Sequence, residues 1–363
     1  MKRLLISWLS ICSLLFLAAC GSNPIAQKKI EGVPDSVQGG KRIAVIRNLP
    51  SDDHTKQFLD GARTEGQNFG FKVDTFISNG DDARFQELVN QAIQGNYDGL
   101  IISHGKSSYS YQMIKPAIDK GIKVVTFDTD MGEKGKSLKG VTSTSQNDKK
   151  LAELSLNEIA ALSKDGKPVR VIKLWFGGLP PLDKRESVYK KFEQQNKIQT
   201  LEVIGPTNMQ DVQGDINAKV SSILSKYPKG TVDVMWGAWD ELAKGGFKAM
   251  KENNRSDIKL ISIDISNQDI NLMREKGSTW LSTAAVDPKL IGILNMRLMA
   301  KKLAGEQTPD NYEIDANLIK QSQLTPQTNM TNLNQVIKGW GESKDFDEPW
   351  MQKLRDYYGK QNK

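Results

Sequence analysis

The stretch that most constrains this chain is an apolar, largely β-branched run, Val124-Val125-Thr126-Phe127, that stops abruptly at Asp128 and continues as Thr129-Asp130. A run of this kind reads as a strand covered on both faces, as in a parallel sheet flanked by helices. Open α/β sheets take their ligands at the carboxyl ends of the strands, so Asp128 is placed where a side chain reaches a ligand. The phrase recurs as Leu260-Ile261-Ser262-Ile263-Asp264. Two strands ending in Asp point to two similar lobes facing one cleft.

The rest of the chain has the rhythm this requires. Arg42–Asn48 reads as a first strand, and the polar loop Leu49–Thr55 leads into a helix over Lys56–Gly70 with Phe58, Leu59, Ala62 and Phe69 at helical spacing. A strand over Phe71–Ile77, a helix capped by Asp81-Asp82, a strand over Tyr97–Ser103 and a helix ended by Gly121 follow. After Gly140–Ser143 the alternation restarts with a helix over 146–162, strands over 168–174, 199–204, 232–236 and 259–263, and helices over 183–196, 211–227 and 240–253. A strand over Thr279–Val286, a helix from Pro288 and a last strand over Tyr312–Ile319 complete the body. Strands alternating with helices at this pace make βαβ units and a parallel sheet. The interval from Asp98 to Asp128 matches that from Asp233 to Asp264, one strand–helix–strand unit in each half.

With 363 residues the chain exceeds one typical core, which argues for two domains. Its net charge of +7 is spread over interspersed lysines and acids, with no basic run interleaved with aromatics, so a nucleic-acid surface is not expected. Met1-Lys2-Arg3 followed by the apolar Leu4–Ala19 has the form of a signal peptide rather than a membrane span. Leu17-Ala18-Ala19-Cys20 resembles a bacterial lipobox, in which Cys20 would receive lipid; the alternative is an ordinary leader in which Cys20 is incidental. The only two cysteines are Cys12 and Cys20, so the mature protein would have neither an internal disulfide nor a thiol nucleophile beyond its first residue. Residues 21–40 read as a flexible tether, the second half of which could instead dock as an irregular arm.

From about Arg42 to Ile319 the chain resembles the periplasmic sugar-binding proteins of ABC importers, in the ribose- and galactose-binding branch. The phrases that carry the resemblance are Gly61-Ala62, Tyr97-Asp98-Gly99-Leu100-Ile101-Ile102, Gly121-Ile122-Lys123-Val124-Val125-Thr126-Phe127-Asp128, Ile261-Ser262-Ile263-Asp264 and Tyr312–Ile319. It implies two Rossmann-like lobes with parallel sheets, joined by a three-strand hinge (the type I periplasmic binding protein fold) and closing around a sugar or sugar alcohol. Crossings are expected near Thr142–Ser145, Thr283–Val286 and Gly305–Asp310. Lobe one would then hold 41–141 plus 287–304, lobe two 142–286 plus 305–325, with a tail over 326–363 packed on the body through Trp340, Trp350, Tyr357 and Tyr358. The implied partners are ABC permease subunits and, through the lipid, a membrane surface; the protein is expected to act as a monomer without metal or cofactor.

A sugar offers neutral hydroxyls and apolar C–H faces, and calls for planar donors and acceptors beside an aromatic surface. By family position Asp128 and Asp264 are ligand contacts, the alternative for each being a helix cap. Arg185 matches an arginine at the start of a helix facing the cleft, although Val188-Tyr189 stands where relatives carry Gly-Phe; a surface arginine is the alternative. Trp239 and Asp240 fall where relatives carry Asn-Asp, so Trp239 either stacks on the ligand or packs the lobe, and Trp175-Phe176 is a second aromatic candidate. The loop containing Asp52, Asp53 and His54 replaces the asparagine and aromatics of relatives, shifting lobe one toward polar contact through Asp53 and His54, with a solvent-facing histidine as the alternative.

An enzyme has less behind it. His54 and His104 are the only histidines and lie in no metal-ligand spacing, and the chain has no GxSxG elbow, phosphate-binding loop or GxGxxG after its first strand. Asp128 and Asp264 could mimic a glycosidase pair, which hinge closure does not need. A repressor of the same fold would carry a helix-turn-helix before the first strand. A receptor subunit for chemotaxis or signalling, loaded with a furanosyl signal or a nucleoside, is the remaining alternative.

Overall fold

The computed structural model describes residues 29–135 and 137–359; the leader and Cys20 lie outside them. Two six-stranded sheets organise the chain. The first is built from β1 (Arg42–Arg47), β2 (Lys72–Ile77), β3 (Gly99–Ser103), β4 (Lys123–Phe127) and β5 (Val141–Gln146). The second comprises β6 (Val169–Leu174), β7 (Ile198–Ile204), β8 (Val234–Gly237), β9 (Lys259–Ile263) and β10 (Trp280–Ala285). Two short strands, β11 (Asn311–Ile314) and β12 (Asn317–Lys320), are then shared out, one to each sheet. The orders are β11-β5-β4-β3-β1-β2 and β12-β10-β9-β8-β6-β7, the same arrangement twice, parallel throughout except where β12 runs against β10.

The helices cover both faces of each sheet: α1 (Asp53–Asn68), α2 (Asp82–Gln94), α3 (Ser110–Asp119) and a single turn α4 (Gly132–Gly135) before the first crossing, then α5 (Asp148–Ala160), α6 (Pro180–Gln194), α7 (Val212–Leu224), α8 (Asp240–Glu252) and α9 (Asn267–Arg274). After β10 come α10 (Pro288–Ala304), which returns to lobe one and packs on α1, β3 and β4, and the terminal α11 (Pro349–Tyr358). Because side chains alternate across a strand, Ile43 and Val45 join a core with α1 and α10, while Ala44 and Ile46 join another with α2 and α3. That two-sided burial is why the strands read as near-continuous apolar runs.

The repeat extends to its polar groups. Asp98 accepts from the backbone N–H of Arg42 at 2.8 Å, and Asp233 accepts from that of Arg170 at 2.9 Å. Each carboxylate thus ties the entry of the first strand of its sheet to the entry of the neighbouring strand.

Three expectations are corrected. The crossing placed at Thr142–Ser145 is a strand of the first sheet, and the chain changes sheets only after Gln146. Tyr312–Ile319 is not one strand of lobe two: Asn311–Ile314 pairs with β5, and the chain crosses at Asp315-Ala316 before Asn317–Lys320 pairs with β10, so the third crossing follows Ile314 rather than lying in Gly305–Asp310. Thr144 and Glu313 belong to short polar edge strands, whose register is set by partners far away in sequence. The tether is also shorter than 21–40. Ile30 packs on the core, Val33 and Val37 are buried in it, and the Gln38 side chain bonds the backbone of Ile30 and Val33, so this arm is docked by its own apolar side chains.

The carboxyl-terminal segment touches both lobes. Met330, Leu333, Ile337 and Trp340 are buried against Ile265, Ile270 and Ile319 of lobe two. Beyond Gly341, Arg297 of α10 donates to the carbonyl of Ser343 at 2.9 Å, Trp350 donates to Glu306 at 2.7 Å, and Arg355 pairs with Glu65 of α1 at 2.6 Å.

Lobe one depends on the close approach of α1 and α10. A Cβ on Gly61 would lie 2.1 Å from the carbonyl oxygen of Lys289, and one on Gly292 would lie 2.1 Å from that of Phe58. Backbone cannot yield as a flexible side chain can, so Gly61→Ala should destabilise the protein by about 1–3 kcal/mol or more. Urea denaturation with an unchanged m-value would read this as a shift in midpoint; a midpoint equal to wild type would show that the helices separate freely.

Candidate functional site

The carboxyl edges of the two sheets converge on one polar cleft. β4 delivers Asp128 and β9 delivers Asp264, both in left-handed backbone conformation (φ 42° and 72°), and each donates its backbone N–H to the neighbouring strand, to Thr144 and to Ala284, at 2.9 Å in both cases. Asp tolerates this conformation better than most residues, and such strain gathers at functional positions. The expected equivalence of the two aspartates therefore holds down to the backbone.

Their surroundings differ. Asp264 is engaged by Arg185, with Nη1 2.9 Å from one carboxylate oxygen and Nη2 3.4 Å from the other. Arg185 lies in α6, is almost wholly buried, and also donates to Asp148 at 3.0 Å and to the carbonyl of Ala238 at 2.6 Å. It is not a surface arginine. Burial works against its charge, but Asp264 and Asp148 outweigh that and hold its proton more firmly than usual. Asp148, which follows the first crossing, was not anticipated. Burial raises its pKa, and the Arg185 and Lys184 charges oppose the shift.

Asp128 is buried with no hydrogen-bond partner in the protein for either carboxylate oxygen. Burial first, and then the charge of Asp148, push its pKa up to about 8. Close by at the end of β5, Gln146 Oε1 and Asp148 Oδ2 are also buried without partners. Four acceptor atoms from adjacent strand ends thus lack donors. Buried polar atoms are normally satisfied, and carboxylates only accept when ionised, so this wall of the cleft suits a ligand rich in O–H groups.

The other expected residues fall into distinct places. His54 faces the cleft from the first turn of α1, half-buried, with Nδ1 2.9 Å from Nη2 of Arg47. Asp53 is tied to lobe two instead: its carboxylate accepts from the backbone N–H of Asn267 at 3.0 Å and from the Asn267 side chain at 3.2 Å. Asp240 is buried and paired with Lys244 at 2.9 Å. Trp239 is half-buried at the cap of α8 and packs against the core clusters, and Trp175 donates its ring N–H to the carbonyl of Leu182 at 2.9 Å. Arg47 was passed over because an arginine closing an apolar strand reads as its solvent-exposed end. Its signal was its place, the last residue of a strand at the ligand edge.

A profile of the periplasmic binding protein domain matches residues 43–307. The chain is a member of the periplasmic binding protein family. It is similar, at 47% identity and a TM-score of 0.83 over 91% of this chain and 100% of the other, to a sugar ABC transporter protein from Yersinia enterocolitica. The 5-methylthioribose transporter solute-binding protein of Thermotoga lettingae shares 25% identity, with a TM-score of 0.80 over 90% of this chain and 99% of that one. The ribose import binding protein of Haemophilus influenzae is 24% identical over 290 residues, 80% of this chain and 94% of its own. The two six-stranded sheets are those of the type I fold, and membership of this family of sugar ABC transporter solute-binding proteins implies an extracytoplasmic location. Among the described residues no helix is long and apolar enough to cross a membrane.

The pKa of Asp128 makes a stability prediction for the ligand-free protein. With a folded value near 8 against the ordinary 3.8, the native state holds a proton that the unfolded chain loses, so its contribution is full below pH 4 and is lost as pH rises toward 8. Asn keeps the shape and tolerates the left-handed backbone without ionising. The stability of Asp128→Asn relative to wild type should therefore rise between pH 4 and 8, by at most about 1.4 kcal/mol per pH unit. Paired urea titrations across that range check it; a flat difference would place Asp128 in solvent-like surroundings.

Proposed function

We propose that this protein is a lipid-anchored, extracytoplasmic solute-binding protein that captures a sugar or sugar alcohol between its lobes and delivers it to an ABC permease. The observation that carries the reading is the cluster of buried acceptors without partners, Asp128 above all, beside the Arg185–Asp264 pair at the facing sheet edges. Asp128 accepts from two ligand hydroxyls, Asp264 and Arg185 provide an acceptor and donors from lobe two, and Trp239 and Trp175 offer apolar surface. No covalent step is required. Binding is accumulated hydrogen bonding in a site that closure removes from water, and closure is favoured only by contacts that exist in the closed state.

The names of two relatives, one binding 5-methylthioribose and one importing ribose, put pentoses and 5-substituted pentoses at the head of the ligand series. The lipobox-like Leu17-Ala18-Ala19-Cys20 supports attachment to a membrane surface.

A thermal-shift panel of pentoses, 5-substituted pentoses, hexoses, polyols and nucleosides should single out one sugar or polyol class by a Tm rise. Mass action gives about 2.7 kcal/mol of stabilisation at a ligand concentration a hundred times Kd. Asp128→Asn should bind that ligand at least about tenfold more weakly, a loss of roughly 1.4 kcal/mol, while remaining folded by circular dichroism. Unchanged affinity in this variant would remove Asp128 from the site, and a chemically altered sugar after incubation would replace binding by catalysis. Palmitate labelling lost in Cys20→Ser would support the anchor.

A further inference from the structure

Arg47 ends β1 at the ligand edge, 1% exposed, and no carboxylate lies within ion-pair distance of it among the described residues. Its guanidinium donates from Nε to Thr55 Oγ1 at 3.0 Å and from Nη1 to Ser103 Oγ at 3.4 Å, sits 4.8 Å from the centre of the Phe58 ring, and turns Nη2 toward His54 Nδ1 at 2.9 Å. A guanidinium has donors only and keeps its proton. The contact with His54 is a hydrogen bond only if Nδ1 presents its lone pair, which leaves the ring proton on Nε2. That nitrogen makes no hydrogen bond with another described residue, and the ring looks across at Asp240 and Arg185 of lobe two.

We propose that Arg47 is a positioning residue that locks His54 as a neutral ring protonated on Nε2, so that lobe one presents a fixed N–H donor to the ligand opposite the acceptor Asp128. The inference rests on the cleft being the sugar site. It adds a rule of recognition, that the ligand atom facing His54 is an oxygen that accepts. The groups around the ring agree. Burial first, and then the Arg47 charge, push the His54 pKa down to about 4; Arg185 of α6 acts in the same direction, while Asp52 before α1 and Asp240 of α8 oppose. The ring therefore stays neutral across the working pH range. His104, the only other histidine, has Nδ1 3.1 Å from the same Ser103 hydroxyl that Arg47 donates to, so that hydroxyl is left to donate to His104 and selects the same tautomer there.

The test is a long-range proton–nitrogen spectrum of the full chain labelled with 15N-histidine, without ligand, assigned with a His104→Gln variant. Wild-type His54 should show an unprotonated Nδ1 and a proton-bearing Nε2, unchanged from pH 5.5 to 8. In Arg47→Gln the tautomers should mix and His54 should titrate within that range, and Arg47→Lys, which still donates, should restore the wild-type pattern. Affinity of Arg47→Gln for the best ligand of the panel should fall roughly three- to tenfold relative to wild type at pH 8. That ratio should recover as pH falls, because imidazolium carries a proton on Nε2 again; a purely structural role for Arg47 would give no such recovery. A wild-type ring protonated on Nδ1, or one titrating above pH 5.5, overturns the proposal even if Arg47 variants do not fold. A locked tautomer in a protein that binds no member of the panel would instead reject the sugar reading.

Discussion

The buried guanidinium of Arg185 is the interaction on which the cleft wall of lobe two depends. A charge removed from water is tolerated only with partners that satisfy its donors. Those partners come from the start of α5, the end of β8 and the end of β9, three places that only the finished sheet brings together. Once Arg185 is placed, Asp264 and Asp148 are held as anions with fixed orientation. The Asp148 charge in turn reaches across to Asp128, whose unpartnered carboxylate is the point of greatest demand for a ligand.

Lobe one meets this wall with a different balance. Its buried cation, Arg47, has neutral partners only, and both histidines gather around it. Lobe two pairs its charges internally, whereas lobe one leaves Asp128 unpaired and orients neutral donors beside it. Two lobes of the same topology therefore do unequal work, and the asymmetry lies in the side chains at strand ends rather than in the sheets. The lobes are tied by three crossings, by the Asp53–Asn267 contact across the cleft, and by the terminal segment, whose Met330 N–H holds the Asn267 side-chain oxygen at 3.0 Å. That segment packs on lobe two through Trp340 and on lobe one through Trp350 and Arg355, and so adds a fourth covalent path between them.

Strong periodic patterns translated directly into elements. The buried strands, the helices with apolar stripes and the Asp81 cap form where local pattern places them, because two-sided burial and helical periodicity leave a local imprint. Short polar strands left none: Val141–Gln146 and Asn311–Ile314 are strands because each lies beside the other and β4, which no window of residues can reveal. Asp128, Asp264, Arg185 and His54 were found as candidates and converge on the cleft, while Asp53 and Asp240 turned out to spend their carboxylates on Asn267 and Lys244. Arg47, Gln146 and Asp148 were missed, since a charged or amide side chain looks the same in sequence whether it faces water or lines a buried edge.

The amino-acid sequence alone determined the α/β class, the twofold repeat and the family, because burial of strands on both faces requires apolar runs, and a strand that stops at Asp leaves the same phrase in each half. Tertiary structure alone decided what each Asp became. The sequence repeats the strand end; the fold supplies Arg185 to Asp264 and withholds any partner from Asp128. The physical reason is that a carboxylate's role is set by the donors within hydrogen-bonding reach and by its exclusion from water. Both are properties of residues distant in the chain, assembled only where the two sheet edges meet.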